Sequence, residues 1–176
     1  VIDDCSSDGS DNILKMLENE LPKLRILKTD VNSGHGLAVR MGYEEAQKEW
    51  VFHVDSDNQF KVGDFWKLYA LRGEYELISG FRNKRNDPLI RLVLTRVIRI
   101  VNFMLFGMWI KDANCSFLLI KRELLCELLT CIDKMALAPN IMISILAKKK
   151  NKKIVEVPVT YFKRKTGNAS LRGREL

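Results

Sequence analysis

The alternation of short β-forming runs with segments of helical periodicity, repeated along the whole chain, most constrains the fold. Residues 1–4 (VIDD) read as a strand end. Ser10 or Asp11 is placed to cap a helix in which Ile13, Leu14, Leu17 and Leu21 recur at helical spacing, and Pro22 closes it. A strand over 24–28 leads to the turn Asn32-Ser33-Gly34-His35-Gly36, which opens a second helix running to about Lys48. A strand at 51–54, a helix at 62–71 and a strand at 75–80 follow. Beyond a long apolar segment at 89–110 come a strand at 116–120, helices at 123–131 and 140–150, and an alternating strand over 153–162. Strands joined through helices need crossovers, so the pattern predicts an α/β fold with a mainly parallel sheet and helices on both faces. Val1 falls in the middle of a strand pattern, and the chain is expected to be a fragment of one domain that lacks its first strand.

Within that frame, residues 51–60 (VFHVDSDNQF) carry the strongest chemical signal. The β-formers Val51, Phe52 and Val54 should deliver Asp55 and Asp57 to the carboxyl end of a strand, where open α/β sheets bind ligands. Two carboxylates one residue apart repel unless a cation lies between them. A divalent ion carrying substrate phosphates is one solution, with Gln59 adding a neutral oxygen; a polar strand-to-loop turn is the other reading of the same residues.

The formal charge of +7 hides an asymmetry: residues 1–80 sum to −6 and residues 81–176 to +13. A second half so basic suits an anionic partner, whether phosphate, acidic membrane or nucleic acid. Segment 89–110 is apolar enough to suggest a membrane span, but Arg91, Arg96 and Arg99 lie inside it, each costing about 2.5–3.5 kcal/mol near a bilayer centre. Arg91, Thr95, Arg99 and Asn102 fall at i, i+4, i+8 and i+11 and form one polar stripe, which suits a membrane-interface helix and a core helix with a narrow solvent face equally well. Cys5, Cys115, Cys126 and Cys131 form no metal-spaced pair and are expected to be reduced, buried thiols.

Several motifs fail. Asp4, Ser6, Asp8 and Gly9 imitate an EF-hand start, but Lys15 stands where the bidentate Glu belongs. Gly34 and Gly36 imitate a dinucleotide fingerprint, with Val39 in place of the third glycine. His35 and His53 have no nucleophile partner, and Tyr161 and Phe162 adjoin Lys163 without an RNA-binding signature, so no nucleic-acid partner is expected.

Taken in order, VIDDCSSDGS, NSGHG, VDSDNQF, SGFRNKR, DANCSF and VPVTYFKRKTG resemble glycosyltransferase family 2, in the branch of dolichol-phosphate mannose synthase and bacterial polyprenyl-phosphate glycosyltransferases. The resemblance covers nearly the full chain. It implies a nucleotide-diphospho-sugar transferase (GT-A type) fold and one catalytic domain over residues 1–176, with the basic segment 89–110 and the basic tail 148–176 near a membrane. It implies that Asp3 and Asp4 bind the nucleotide, that Asp55 and Asp57 form the D-x-D motif, and that Asp55, Asp57 and Gln59 hold Mg²⁺ or Mn²⁺. Arg82 and Arg164 match phosphate-contacting positions, Arg96 matches an arginine after the family's acceptor loop and is counted with the residues that bind the nucleotide sugar, and Asp112 matches a position beside the acceptor; Asp57, Arg164 and Asp112 are the residues it places at the reaction. The implied partners are a GDP- or UDP-linked sugar donor, a polyprenyl phosphate acceptor and an anionic membrane surface, and the implied location is the cytoplasmic face of a membrane. The implied reaction is metal-dependent inverting sugar transfer, with a saccharide or other hydroxyl acceptor as the alternative and a non-catalytic anion-binding module as the reading from a different class.

Overall fold

The computed structural model describes residues 1–82 and 111–162. It divides into two compact units, one built from Val1–Val51 with Ile120–Lys152 and the other from Phe52–Leu119 with the chain from Lys153 onward.

In the first unit, β1 (Ile2–Asp3) pairs in parallel with β2 (Leu27–Lys28), Ile2 opposite Leu27 and Asp3 opposite Lys28. The expected strand over 24–28 is thus reduced to its last pair of residues, and helix α1 (Ser10–Glu20) joins it to β1. Ser10 is not the cap but the first helical residue. Gly9 takes the cap position at φ 85°, and the Asp8 carboxylate receives both the Ser10 N–H (3.1 Å) and its hydroxyl (2.5 Å).

Helix α2 (His35–Glu44) follows the glycine turn and stops short of Lys48. Arg122 holds the chain that follows: its Nε donates to the Ala46 carbonyl at 2.8 Å and its N–H to the Glu49 carbonyl at 2.8 Å. The buried face of α2 consists of Gly36, Arg40 and Tyr43. Tyr43 donates to Asn140 Oδ1 at 2.6 Å, and the Arg40 guanidinium donates to the carbonyls of Ile132 (2.9 Å) and Leu129 (3.3 Å). These bonds fasten α2 to α4 (Arg122–Leu129) and α5 (Pro139–Lys149), whose Leu124, Leu125, Leu128, Ile143 and Ala147 form the core of this unit.

A four-stranded sheet has the order β3–β5–β4–β6, with β3 Trp50–Val54, β4 Leu77–Arg82, β5 Phe117–Lys121 and β6 Ile154–Val159. The continuous apolar runs of β4 and β5 occupy the two central places, as strands buried on both faces should. The alternating β6 lies at the edge, in parallel with β4, where Pro158 needs no ladder donor.

In the second unit, Phe52 packs edge-on against Phe65 and Phe117, each with ring centroids 4.9 Å away, and Phe60 lies 5.4 Å from Phe117. The helix expected over 62–71 is a 3₁₀ turn at Val62–Asp64 followed by α3 (Phe65–Tyr69). Buried Asp64 accounts for the break: one oxygen accepts the Thr160 N–H at 2.7 Å, and the other meets the Lys67 ammonium at 2.8 Å. The four cysteines are free thiols, as expected. Of these Cys115 alone is buried; Cys131 is exposed, and so is Cys126, because α4 buries its leucine face and turns Cys126 outward.

Candidate functional site

Asp3 and Asp4 stand at the carboxyl end of β1, as the strand pattern requires, yet their environments differ. Asp4 is committed to its own turn: Oδ1 accepts the Thr29 hydroxyl (2.9 Å) and the Ser33 N–H (2.8 Å), and Oδ2 accepts the Gly34 N–H (2.7 Å). Gly34 sits at φ 87°, a conformation that L side chains rarely adopt, so the glycine lets the turn fold around the carboxylate. Asp3 is buried at 4% exposure. Its Oδ1 accepts the Ser6 N–H at 3.1 Å, whereas Oδ2 has no hydrogen-bond partner among the described residues and lies 3.9 Å from the Lys28 ammonium. The Ser6 hydrogen bonds, helped by the Lys28 charge, outweigh burial and hold the Asp3 carboxyl below its ordinary value. Asp3 therefore offers a charged, shielded acceptor.

The second cluster belongs to the other unit. Strand β3 ends at Val54 and releases Asp55 and Asp57 into a tight loop. Asp55 Oδ2 accepts the Ser116 hydroxyl at 2.5 Å, and its Oδ1 lies 3.5 Å from His53 Nε2. Asp57 Oδ1 accepts the Gln59 N–H at 3.2 Å while Asn58 takes a left-handed φ of 56°, which asparagine tolerates better than most residues. Gln59 Nε2 donates to the Phe162 carbonyl at 3.1 Å, fixing which end of the amide is available as an acceptor.

The loop is zipped to the chain leaving β6. Phe162 N–H donates to the Gln59 carbonyl at 2.7 Å, Lys61 N–H donates to Thr160 at 3.2 Å, and Phe60 bridges Tyr161. Arg164 stands two positions beyond Phe162 and lies outside the described residues, as do Arg96 and the whole of 89–110.

Arg82 and Asp112 face each other. Arg82 Nε donates to Asp112 Oδ2 at 2.6 Å and Nη2 to Oδ1 at 2.7 Å, a two-pronged pair reinforced by the Arg82 N–H at 3.3 Å. Burial would lower the guanidinium pKa, but the Asp112 hydrogen bonds and charge win, and the net shift is upward. Glu156 braces the same place by accepting the N–H groups of Lys111 (2.8 Å) and Asp112 (3.3 Å). The pair thus joins the two ends of the chain that flank 83–110. Sequence reading assigned Arg82 to phosphate and Asp112 to the acceptor without pairing them.

Sequence reading also gave no role to Ser116, although it lies within the DANCSF stretch; its hydroxyl was the available signal. Thr29 likewise carried no motif.

Among the described residues no group of three or more His, Cys, Asp or Glu gathers into a metal cage. A Mg²⁺ or Mn²⁺ ion held by one or two carboxylates, waters and substrate phosphates needs none, and the donor set of Asp55, Asp57 and the oriented Gln59 amide fits such an ion.

A model of the family described as glycosyl transferase family 2 matches residues 1–139. The chain belongs to glycosyl transferase family 2. Among curated family 2 relatives, an undecaprenyl-phosphate 4-deoxy-4-formamido-L-arabinose transferase from Pectobacterium carotovorum is 25% identical over 173 residues, 96% of this chain and 51% of the relative. A protein of the same name from Yersinia enterocolitica is 24% identical over 172 residues, again 96% of this chain and 51% of the relative. The chain spans about half the length of the curated relatives it matches. Two solved structures share its fold. The mannosyltransferase PcManGT from Pyrobaculum calidifontis, in complex with GDP-Man and Mn²⁺, aligns with a TM-score of 0.62 at 17% identity, over 90% of this chain and 44% of the other. S. aureus TarS in complex with UDP aligns with a TM-score of 0.61 at 18% identity, over 92% and 49%. The GT-A fold implied by the resemblance is therefore the observed one.

Proposed function

We propose that this family 2 chain is part of an enzyme that transfers a sugar, with inversion, from a nucleotide-diphosphate sugar to a polyprenyl phosphate. The observation that carries the reading is the anchored loop after β3, where Asp55, Asp57 and Gln59 are held by Ser116 and by the chain that leads from Phe162 toward Arg164. Similarity to undecaprenyl-phosphate sugar transferases supports the acceptor class.

Each part has a chemical task. Asp3 Oδ2, which takes no hydrogen bond from the described residues and has the Lys28 ammonium beside it, is suited to accept a hydrogen bond from the nucleotide, while Asp4 keeps the glycine turn in shape. Asp55 and Asp57 would hold Mg²⁺ or Mn²⁺, which when bound neutralises the charge that develops on the departing diphosphate. Ser116 restrains Asp55, so that the carboxylate does not have to reorient as that charge forms. Arg164 is assigned to the same diphosphate, and Arg96 to the nucleotide sugar.

Arg82, already paired with Asp112, serves best by holding the Asp112 carboxylate directed beside the acceptor. A phosphate monoester acceptor has a second pKa of about 6 and is largely dianionic at neutral pH, so no strong general base is required. Peripheral attachment to an anionic membrane surface follows from the lipid acceptor.

Incubating the protein with labelled GDP- and UDP-sugars, Mg²⁺ and polyprenyl phosphate should give a lipid-extractable product that is lost with Asp57→Ala. Unchanged turnover in that variant would overturn the assignment of the loop, and a product that stays in the aqueous phase would overturn the acceptor.

A further inference from the structure

We propose that Glu156 is a positioning residue for sugar transfer: from β6 it fixes the turn 111–116, which carries Asp112 at one end and, at the other, the Ser116 hydroxyl that restrains Asp55. The proposal rests on the sugar-transfer reading above. Its sequence signal is small, because Glu156 is one half-buried acid in the alternating strand IVEVPV, and a charge on an edge strand commonly serves only to discourage pairing with another chain. This carboxylate is used differently. Its Oε1 accepts the Lys111 N–H at 2.8 Å and the Asp112 N–H at 3.3 Å, across 45 and 44 positions of sequence. Consecutive backbone N–H groups that converge on one point make a good seat for an anionic oxygen, and here the protein supplies that oxygen itself.

Asp112 is held at two levels, its N–H by Glu156 on β6 and its carboxylate by the Arg82 guanidinium at the end of β4. The two strands are adjacent and in register, Ser79 opposite Glu156 and Arg82 opposite Val159, so both holders stand on one rigid ladder. Lys111 is fixed from the same ladder, its ammonium 4.5 Å over the Phe81 ring. The Cys115 N–H then donates to the Asp112 carbonyl at 3.2 Å and closes the turn, and the next residue, Ser116, gives its hydroxyl to Asp55 Oδ2.

With three residues between Asp112 and Ser116 and a hydrogen bond closing the turn, a displacement at Asp112 is passed on to Ser116. The carboxylate assigned to the acceptor and the carboxylate assigned to the metal are thus spaced by one turn, whose entry Glu156 sets. What this requires of residue 156 is an acceptor of the right reach. Glutamine keeps an oxygen at the same reach without the charge, aspartate keeps the charge but falls one methylene short, and leucine keeps neither.

Two measurements on the full-length protein test the proposal together: steady-state transfer to polyprenyl phosphate at saturating Mn²⁺, and Mn²⁺ binding in the presence of GDP or UDP read by electron paramagnetic resonance. Glu156→Leu should lower kcat about tenfold, raise the acceptor KM about fivefold and weaken Mn²⁺ binding about threefold, with the donor KM unchanged. Glu156→Asp should move the same quantities in the same directions by less, and Glu156→Gln should stay within about twofold of wild type. The aspartate–glutamine contrast reads the same difference without removing the polar group, should the leucine variant fold poorly. A glutamine variant as impaired as the leucine variant would overturn the proposal in favour of a charge effect. Wild-type acceptor KM and Mn²⁺ binding in Glu156→Leu, with only a lower urea midpoint, would overturn it in favour of a purely structural brace. A wild-type protein that binds Mn²⁺ with GDP or UDP but forms no lipid-extractable product would count against the acceptor reading alone, and the Mn²⁺ series would then decide the role of Glu156.

Discussion

Replacing Asp112 by Ala while Arg82 stays in place isolates the energetics of the pair that closes the ends flanking 83–110. The side chains are 15% and 6% exposed, and Arg82 gives Asp112 its backbone N–H as well as both prongs of its fork. Removing the carboxylate leaves a guanidinium in a poorly hydrated place with no counter-ion, a change that costs about 3–5 kcal/mol. The Tyr161 ring, 5.2 Å from the Arg82 guanidinium carbon, and the remaining exposure of Arg82 favour the lower end, about 3 kcal/mol. For a chain of this size that corresponds to a fall in Tm of about 6–12 °C. Urea unfolding of wild type, Asp112→Ala, Arg82→Met and Arg82→Met/Asp112→Leu measures the cycle. The double variant, with neither charge buried, should lie within about 1 kcal/mol of wild type. A single variant that loses less than about 1 kcal/mol, or a double variant as unstable as the two singles combined, would refute the reasoning, because the cost would then not come from a stranded buried charge.

Other expectations follow from separate features. Gly36→Ala should destabilise the first unit by about 1–3 kcal/mol, because the new Cβ would lie 2.2 Å from the Ala136 carbonyl oxygen and 3.0 Å from Leu137 backbone atoms, neither of which can rotate away; unchanged urea midpoints would contradict it. Burial pushes the Asp64 carboxyl up, but the Lys67 ammonium and Thr160 N–H overcome this and hold it below the ordinary range. Its contribution to stability is present above the unfolded-state pKa of about 4 and disappears as pH falls through the lower folded value, so Asp64→Asn should flatten the acid limb of a pH–stability profile below about pH 4. Ser116→Ala should lower kcat for sugar transfer about tenfold or more with little change in donor KM, since the Ser116 hydroxyl is bonded to Asp55; an effect on KM alone would point to binding instead.

The sequence by itself determined the order of elements and the places where chemistry could emerge. β-branched and aromatic runs read as strands because they remain strands in the packed chain, and the apolar continuity of β4 and β5 against the alternation of β6 already separated central strands from an edge. Asp55 and Asp57 were legible because a strand that stops at two carboxylates is a local pattern. Element ends were less so. The chain after α2 is held by Arg122, and Asp64 at the 3₁₀ turn by Thr160, each donor distant in sequence from the residues it captures. Tertiary structure alone decided the partners of each charge: Asp4 with the glycine turn, Asp55 with Ser116, Arg82 with Asp112, and Asp3 with Ser6 and Lys28. The physical reason is that periodicity and propensity act over a few residues, whereas desolvated charges must find partners wherever the folded chain places them.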